Sequence, residues 1–192
     1  RESALVRKVS MMLIMLPMWM NFLLRTYAWM AILEDTGLIN QLLSFLGLPA
    51  FHMINTPGAV ILGMVYNFLP FMVLPVFSVI DRIDSKVIEA AQDLGASSAV
   101  VFRRVIFPLS LPGVLSGITM VFIPSVSTFA LSRLLGGGKT MLLGDLIEMQ
   151  FLGSAYNPHL GSAIALAMMV IVLVCMAVMN RFGEGEEEVS VL

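Results

Sequence analysis

The chain has 192 residues, 58% of them hydrophobic and only 12% charged, with a formal net charge of −2. That balance is too apolar for a water-soluble domain of this length, and the 11 basic side chains form no dense run that would serve a nucleic acid or a polybasic lipid anchor. A lone Cys175 and two distant histidines, His52 and His159, exclude a disulfide framework and a metal site of ordinary ligand spacing.

The chain starts at Arg1 with no secretory signal, so it reads as an N-terminally incomplete copy of a longer protein. A bilayer core about 30 Å thick takes about 20 apolar residues in a helix, because lipid satisfies no backbone polar group. Four segments qualify: Val9 to about Leu33, Gly58 to Ile80, Leu111 to about Leu131, and Leu160 to Asn180. Arg25 interrupts the first and must hold a carboxylate or helix-end carbonyls, as intramembrane charges do. Pro17, Pro70, Pro75 and Pro124 predict kinks. Asn67, Ser125, Ser127 and Thr128 either line the bundle interior or hydrogen-bond between helices. Sixteen methionines fit adaptable packing against lipid and neighbouring helices.

Four spans place both ends of the chain on one side. Arg1, Arg7, Lys8, Arg82, Lys86, Arg103, Arg104 and Arg181 then share that side, while the other holds Arg133 and Lys139, with Arg25 near it. The positive-inside rule makes the 81–107 segment and both ends cytoplasmic, and turns the 34–57 and 132–159 segments outward. The tail from Gly183, with Glu184, Glu186, Glu187 and Glu188, reads as a solvated terminus.

The 81–107 segment reads as two short helices. Asp84 or Ser85 caps the first; Val87, Ile88, Ala91 and Leu94 share one face; Gly95 stops it in a left-handed turn. Ser97 caps the second, Arg103 and Arg104 complement its C-terminal dipole, and Pro108 ends it. The four acids Asp81, Asp84, Glu89 and Asp93 balance the four bases Arg82, Lys86, Arg103 and Arg104, so a protein-docking surface fits better than a lipid-binding one.

Glu89-Ala90-Ala91, Gly95-Ala96, Phe102, Ile106, Pro108-Leu109 and Pro112-Gly113 resemble the EAA loop of ABC-importer permeases. The resemblance implies an all-α polytopic membrane bundle of the type I (MetI-like) permease fold, a single domain over 1–192. It further implies that the loop docks in a groove of a cytoplasmic ATPase and couples ATP binding to alternating access. On that reading Glu89 pairs or caps in the groove, Ala90 and Ala91 permit close approach, Gly95 makes the turn, and Asp93, Ala96, Phe102 and Pro108 complete the surface. ATP and magnesium belong to the ATPase, and this chain carries no cofactor. Implied partners are a paralogous permease, two ATPase copies and an external binding protein.

The segments from Pro17 to Trp29, Leu135 to Lys139 and Leu143 to Phe151 resemble the spermidine/putrescine group of these permeases, and related permeases for iron, thiamine or phosphonates share parts of them. A polyamine pathway needs carboxylates for the ammonium groups and aromatic faces for cation–π contact and the methylene stems. Asp145 and Glu148 are spaced i, i+3 on one face of a helix from about Leu142 to Leu152; they form either a cation-facing pair or the wet side of an interfacial helix. Trp19, Tyr27, Trp29 and Tyr66 are the aromatic candidates, and Tyr27 and Trp29 also fit an interfacial belt.

Gly138-Lys139-Thr140 has the ending of a phosphate-binding loop but Arg133 stands where the first glycine belongs, so it reads as a tight turn. There is no Gly-x-Ser-x-Gly, no histidine inside a span and no acid pair at mid-membrane depth, so no enzymatic chemistry is expected.

Overall fold

The computed structural model describes residues 4–153 and 156–187; Arg1, Glu188 and the side chains of Glu184, Glu186 and Glu187 lie outside the described residues. Among the described residues the fold is all-helical, with no strand.

The first expected span is two helices. Helix α1 (Ala4–Trp19) and helix α2 (Phe22–Leu33) are separated by a break, and the segment from Phe22 to Phe45 lies at 97° to the one from Leu5 to Trp19. The break is built locally: Asn21 caps α2 by accepting from the Leu23 N–H at 2.8 Å, and Met20 N–H closes a turn on the Pro17 carbonyl at 3.2 Å. Buried Arg25 reaches back across it, donating from Nη1 to the same Pro17 carbonyl at 2.6 Å. The intramembrane arginine therefore holds a helix-end carbonyl.

Helix α3 (Leu38–Phe45) follows, then α4 (Pro57–Arg82), which runs through Pro70 and Pro75 without a break. Helices α5 (Ser85–Asp93) and α6 (Ser98–Val101) form the connecting loop, and a single π turn (Phe102–Ile106) joins α6 to α7 (Phe107–Ser127). Pro108 does not end the second loop helix as its type suggests. The Phe107 N–H bonds the Phe102 carbonyl, a ladder one residue wider than the α-helix, so the carbonyls are already re-routed where Pro108 offers no donor. The helix from Ser98 to Ser127 is consequently continuous and starts well before Leu111. It stops short of Leu131, which belongs to α8 (Ala130–Gly136). Helix α9 (Leu143–Leu152) and α10 (Pro158–Glu187) complete the order, α10 extending past Gly183.

Among the described residues three helices are long and apolar enough to cross a membrane, Pro57–Arg82, Ser98–Ser127 and Pro158–Met179, and the bent pair of Leu5–Trp19 with Phe22–Phe45 makes up to four. Little of their surface is buried within the chain; none of the most apolar window of Pro158–Met179 is. That is the pattern expected of helices whose solvent is lipid or other membrane helices.

The chain divides into two compact units. The first comprises residues up to Pro70 with Pro124–Leu166. In it α2 packs on α3 and α8, and α8 on α9, around Leu33, Ile54, Val60, Leu131 and Leu135. Leu131 and Leu135 seat on Gly63 of α4, where a Cβ would find the Leu135 side chain. Asn67 is buried one turn on; its amide donates to the Gly63 carbonyl at 2.8 Å and its Oδ1 has no hydrogen-bond partner among the described residues. The second unit comprises Phe71–Ile123 with the chain from Ala167. Here α7 crosses the latter part of α4 at close range. A Cβ on Gly113 would meet the Pro75 carbonyl oxygen at 2.9 Å and Val76 Cα at 3.0 Å, and one on Gly117 would meet Met72 Sδ at 2.7 Å. Two glycines four apart let the backbones approach, as small residues do between membrane helices.

Candidate functional site

The 81–107 loop is assembled by short-range rules. Asp84 caps α5, accepting from the Lys86 N–H at 3.0 Å. At the other end Gly95 has φ +83°, its N–H donates to Gln92 O at 2.8 Å, and Ala96 N–H donates to Ala91 O at 3.1 Å. This pair of bonds around a left-handed glycine is the Schellman ending, and it closes off the carbonyls of the last α5 turn. Ser97 precedes α6 without a side-chain cap bond, and Val101 is the loop's buried apolar residue.

The outward surface of this loop is apolar at its centre. Leu94 is 90% exposed, Phe102 and Val87 are exposed, and Ala90 is exposed beside half-buried Ile88, Ala91 and Ala96. The stripe of Val87, Ile88, Ala91 and Leu94 is thus split: its ends face out, its middle is half-covered. Glu89, Asp93, Arg103 and Arg104 are exposed around it, and Pro108 is exposed in the first turn of α7. Fixed backbone, a small-residue stretch and an uncovered leucine and phenylalanine ringed by balanced charge form a surface suited to docking against another protein.

The residues considered for a substrate path are only partly brought together. Trp29 of α2 and Tyr66 of α4 make an edge-to-face pair with centroids 5.2 Å apart and planes at 68°. Tyr27 is exposed on α2, and Trp19, at the end of α1, is 89% exposed. Asp145 and Glu148 have internal occupations. Asp145 is buried; its Oδ2 accepts from the Ser132 hydroxyl at 2.6 Å and from the Leu142 N–H at 2.8 Å, which caps α9. Glu148 Oε1 pairs with Arg133 Nη1 at 2.8 Å, while Oε2 is buried with no hydrogen-bond partner among the described residues. Both acids therefore face α8, whose Ser132 and Arg133 sequence reasoning left out of the set. Gly137 and Gly138 both have positive φ after α8, so the Gly-Gly-Gly-Lys stretch is a tight turn.

The ion pair clamps α8 to α9. Arg133→Ala strands a carboxylate whose side chain is 13% exposed, and since the arginine itself is half in solvent, the expected loss is about 1–3 kcal/mol. Exchanging the two, Arg133→Glu with Glu148→Arg, is expected to recover most of it. Thermal unfolding of the purified proteins checks both, and an unaltered melting temperature for Arg133→Ala would remove the clamp.

Comparison with known proteins bears on the loop and the fold. Residues 1–184 match the family described as binding-protein-dependent transport system inner membrane component. The chain is 39% identical over 168 residues to the spermidine/putrescine transport system permease protein PotB of Escherichia coli K12, covering 86% of this chain and 61% of that protein. It is 38% identical over 177 residues to the PotB protein of Haemophilus influenzae, covering 91% and 62%. The chain thus spans about three-fifths of the length of these relatives. A solved bacterial ABC transporter involved in the import of the acidic polysaccharide alginate superposes with a TM-score of 0.77 at 18% identity, over 96% of this chain and 68% of that one. At that identity the likeness concerns the fold alone.

Proposed function

We propose, because the chain belongs to the family of binding-protein-dependent transport system inner membrane components, that it is a permease subunit that admits polyamines by alternating access, driven through the 81–107 loop by a separate ATPase. In this reading the loop and both ends of the chain are cytoplasmic, a binding protein delivers spermidine or putrescine at the outer face, and a paralogous permease completes the pathway. ATP and magnesium sit in the ATPase. The observation that carries the reading is the loop: α5 ends in a rigid Schellman turn at Gly95 and presents Leu94 and Phe102 uncovered among balanced charges. Such a surface transmits a push only when something grips it, and the groove of an ATPase is the partner the family supplies.

The cargo is supported by the PotB relatives and by aromatic faces at Trp19, Tyr27, Trp29 and Tyr66, which suit methylene stems and ammonium groups. Asp145 and Glu148 act here by fixing α9 on α8, and meet a cation only where one exchanges with the Ser132 or Arg133 contact.

Proteoliposomes holding the complete transporter, with its binding protein inside or outside, provide the test. Radiolabelled spermidine and putrescine are expected to accumulate only with internal or external ATP on the loop side and binding protein on the other. Transport of a different solute with no polyamine uptake overturns the cargo alone. Purification of the permease with no ATPase bound overturns the coupling.

A further inference from the structure

Helix α3 is turned the opposite way from a helix on a water-soluble surface. Its inward side carries Asn40, which is buried and clips the following chain in place: the amide donates to Phe51 O at 2.9 Å, and Oδ1 accepts from Phe51 N–H at 2.8 Å. Its outward side carries Leu38, Leu42 and Phe45, which are 66%, 61% and 87% exposed, and Leu46, Leu48 and Phe51 extend the same apolar exposure. From Leu38 through Phe51 there is no charged side chain; Glu34, Asp35 and His52 stand just outside the stretch. A contiguous patch of this kind is rare on a surface that faces water.

We propose that α3 is an interfacial helix, lying in the bilayer surface with Leu38, Leu42 and Phe45 sunk to the acyl boundary. The short tether to α2 and the charge pattern select lipid over a protein partner. Four residues, Glu34 to Gly37, separate α3 from α2, a reach of about 14 Å at most, so α3 cannot leave the membrane surface. Gly37 tightens this further, since a Cβ there would lie 2.5 Å from the Ile32 carbonyl oxygen. A protein-docking patch also carries a polar rim, whereas here charges stand only at the two ends of the stretch. With no lysine or arginine on the helix, its seating depends on apolar burial and not on anionic lipid. The bilayer face concerned is the outer one under the orientation proposed above, but the seating depends only on the chain being a membrane protein.

The test places a nitroxide at Leu42→Cys, Phe45→Cys and, as a water-facing reference, Asp35→Cys, each with Cys175→Ala, in the complete transporter in phosphatidylcholine nanodiscs. Labels at 42 and 45 are expected to relax with oxygen and lose access to a water-soluble nickel chelate, and the label at 35 to keep it. If labelling disturbs folding, Phe45→Trp is used in its place and should show quenching by brominated lipid beyond that of the parent. Nickel access at 42 and 45 equal to that at 35 overturns the proposal. So does protection from both reagents that appears only when binding protein or the paralogous permease is present, which would make the patch a protein interface. Neither failure touches the coupling reading, which is measured by ATPase retention.

Discussion

Gly113→Leu is expected to prevent stable packing of α7 on α4. The glycine Cα already lies so close that a single added carbon would sit 2.9 Å from the Pro75 carbonyl oxygen and 3.0 Å from both Val76 Cα and Val79 Cγ2. Two of these are backbone atoms and cannot swing aside, so the leucine must push the helices apart along their crossing. Overpacking costs about 1–3 kcal/mol in a soluble core and occasionally more. Between membrane helices close packing supplies much of the association itself, so a loss at or above the upper end, about 3 kcal/mol, is expected here. Gly117→Ala should be milder, because it adds one carbon whose nearest neighbour is Met72 Sδ in a flexible side chain, with the Met72 carbonyl oxygen next at 3.1 Å. Ser116, exposed on α7, is the control: Ser116→Leu should leave stability within about 0.5 kcal/mol. Detergent-resistant yield and thermal unfolding of the three variants measure the series, and a Gly113→Leu protein as stable as the parent would mean that the α4–α7 crossing is not a tight one.

The second large effect concerns transport and spares the bundle. Gly95 sits at φ +83° with no atom within 4 Å of where its Cβ would be, so the chain's own packing has no objection to a side chain. The objection is the left-handed backbone, which costs a residue with a Cβ about 1–2 kcal/mol and a β-branched one more. Gly95→Val should therefore release the Gly95 to Gln92 and Ala96 to Ala91 bonds, fray the end of α5 and disperse the Leu94 surface. Under the proposed function, uptake by the complete transporter is expected to fall by about tenfold or more, since about 1.4 kcal/mol is a factor of ten, with membrane insertion and yield unchanged. Gly95→Asn should keep most of the uptake, because asparagine tolerates the left-handed region. Equal failure of valine and asparagine would place the requirement in the partner's groove, as a demand for small size, and would refute the conformational account.

How far the loop could be read from sequence follows from the range of the forces involved. Asp84 caps a helix two residues away, and Gly95 ends one through bonds to Gln92 and its neighbour's bond to Ala91, so residue type and spacing suffice. Pro108 misled for the same reason: its local rule says stop, and only the π turn over Phe102–Ile106 lets the helix continue. The break after Trp19 was hidden inside an apolar run that, counted by hydropathy, is one span; Asn21 as a cap and Arg25 as the strap back to Pro17 become legible once the chain is seen to turn.

The outer acids show the opposite case. Periodicity correctly put Asp145 and Glu148 on a helix from about Leu142 to Leu152, but no periodicity says that Ser132 and Arg133 of α8 stand opposite them. Gly113 and Gly117, spaced four apart, carried a signal for a close helix crossing that the reading of the sequence left unused, and nothing in that spacing names α4 as the partner.

By itself, then, the sequence determined that lipid is the solvent of this chain, that the chain is built of long apolar helices, and that the 81–107 segment is a helical pair, its first helix capped by Asp84, resembling a coupling loop. Those properties follow from burial and from bonds between residues a few positions apart. Tertiary structure alone decided which charges are occupied, how closely α7 approaches α4, and that α3 turns Asn40 inward and its leucines outward. Each of these depends on contacts between residues distant in the chain, where a side chain's type states what it needs and only the fold states who supplies it.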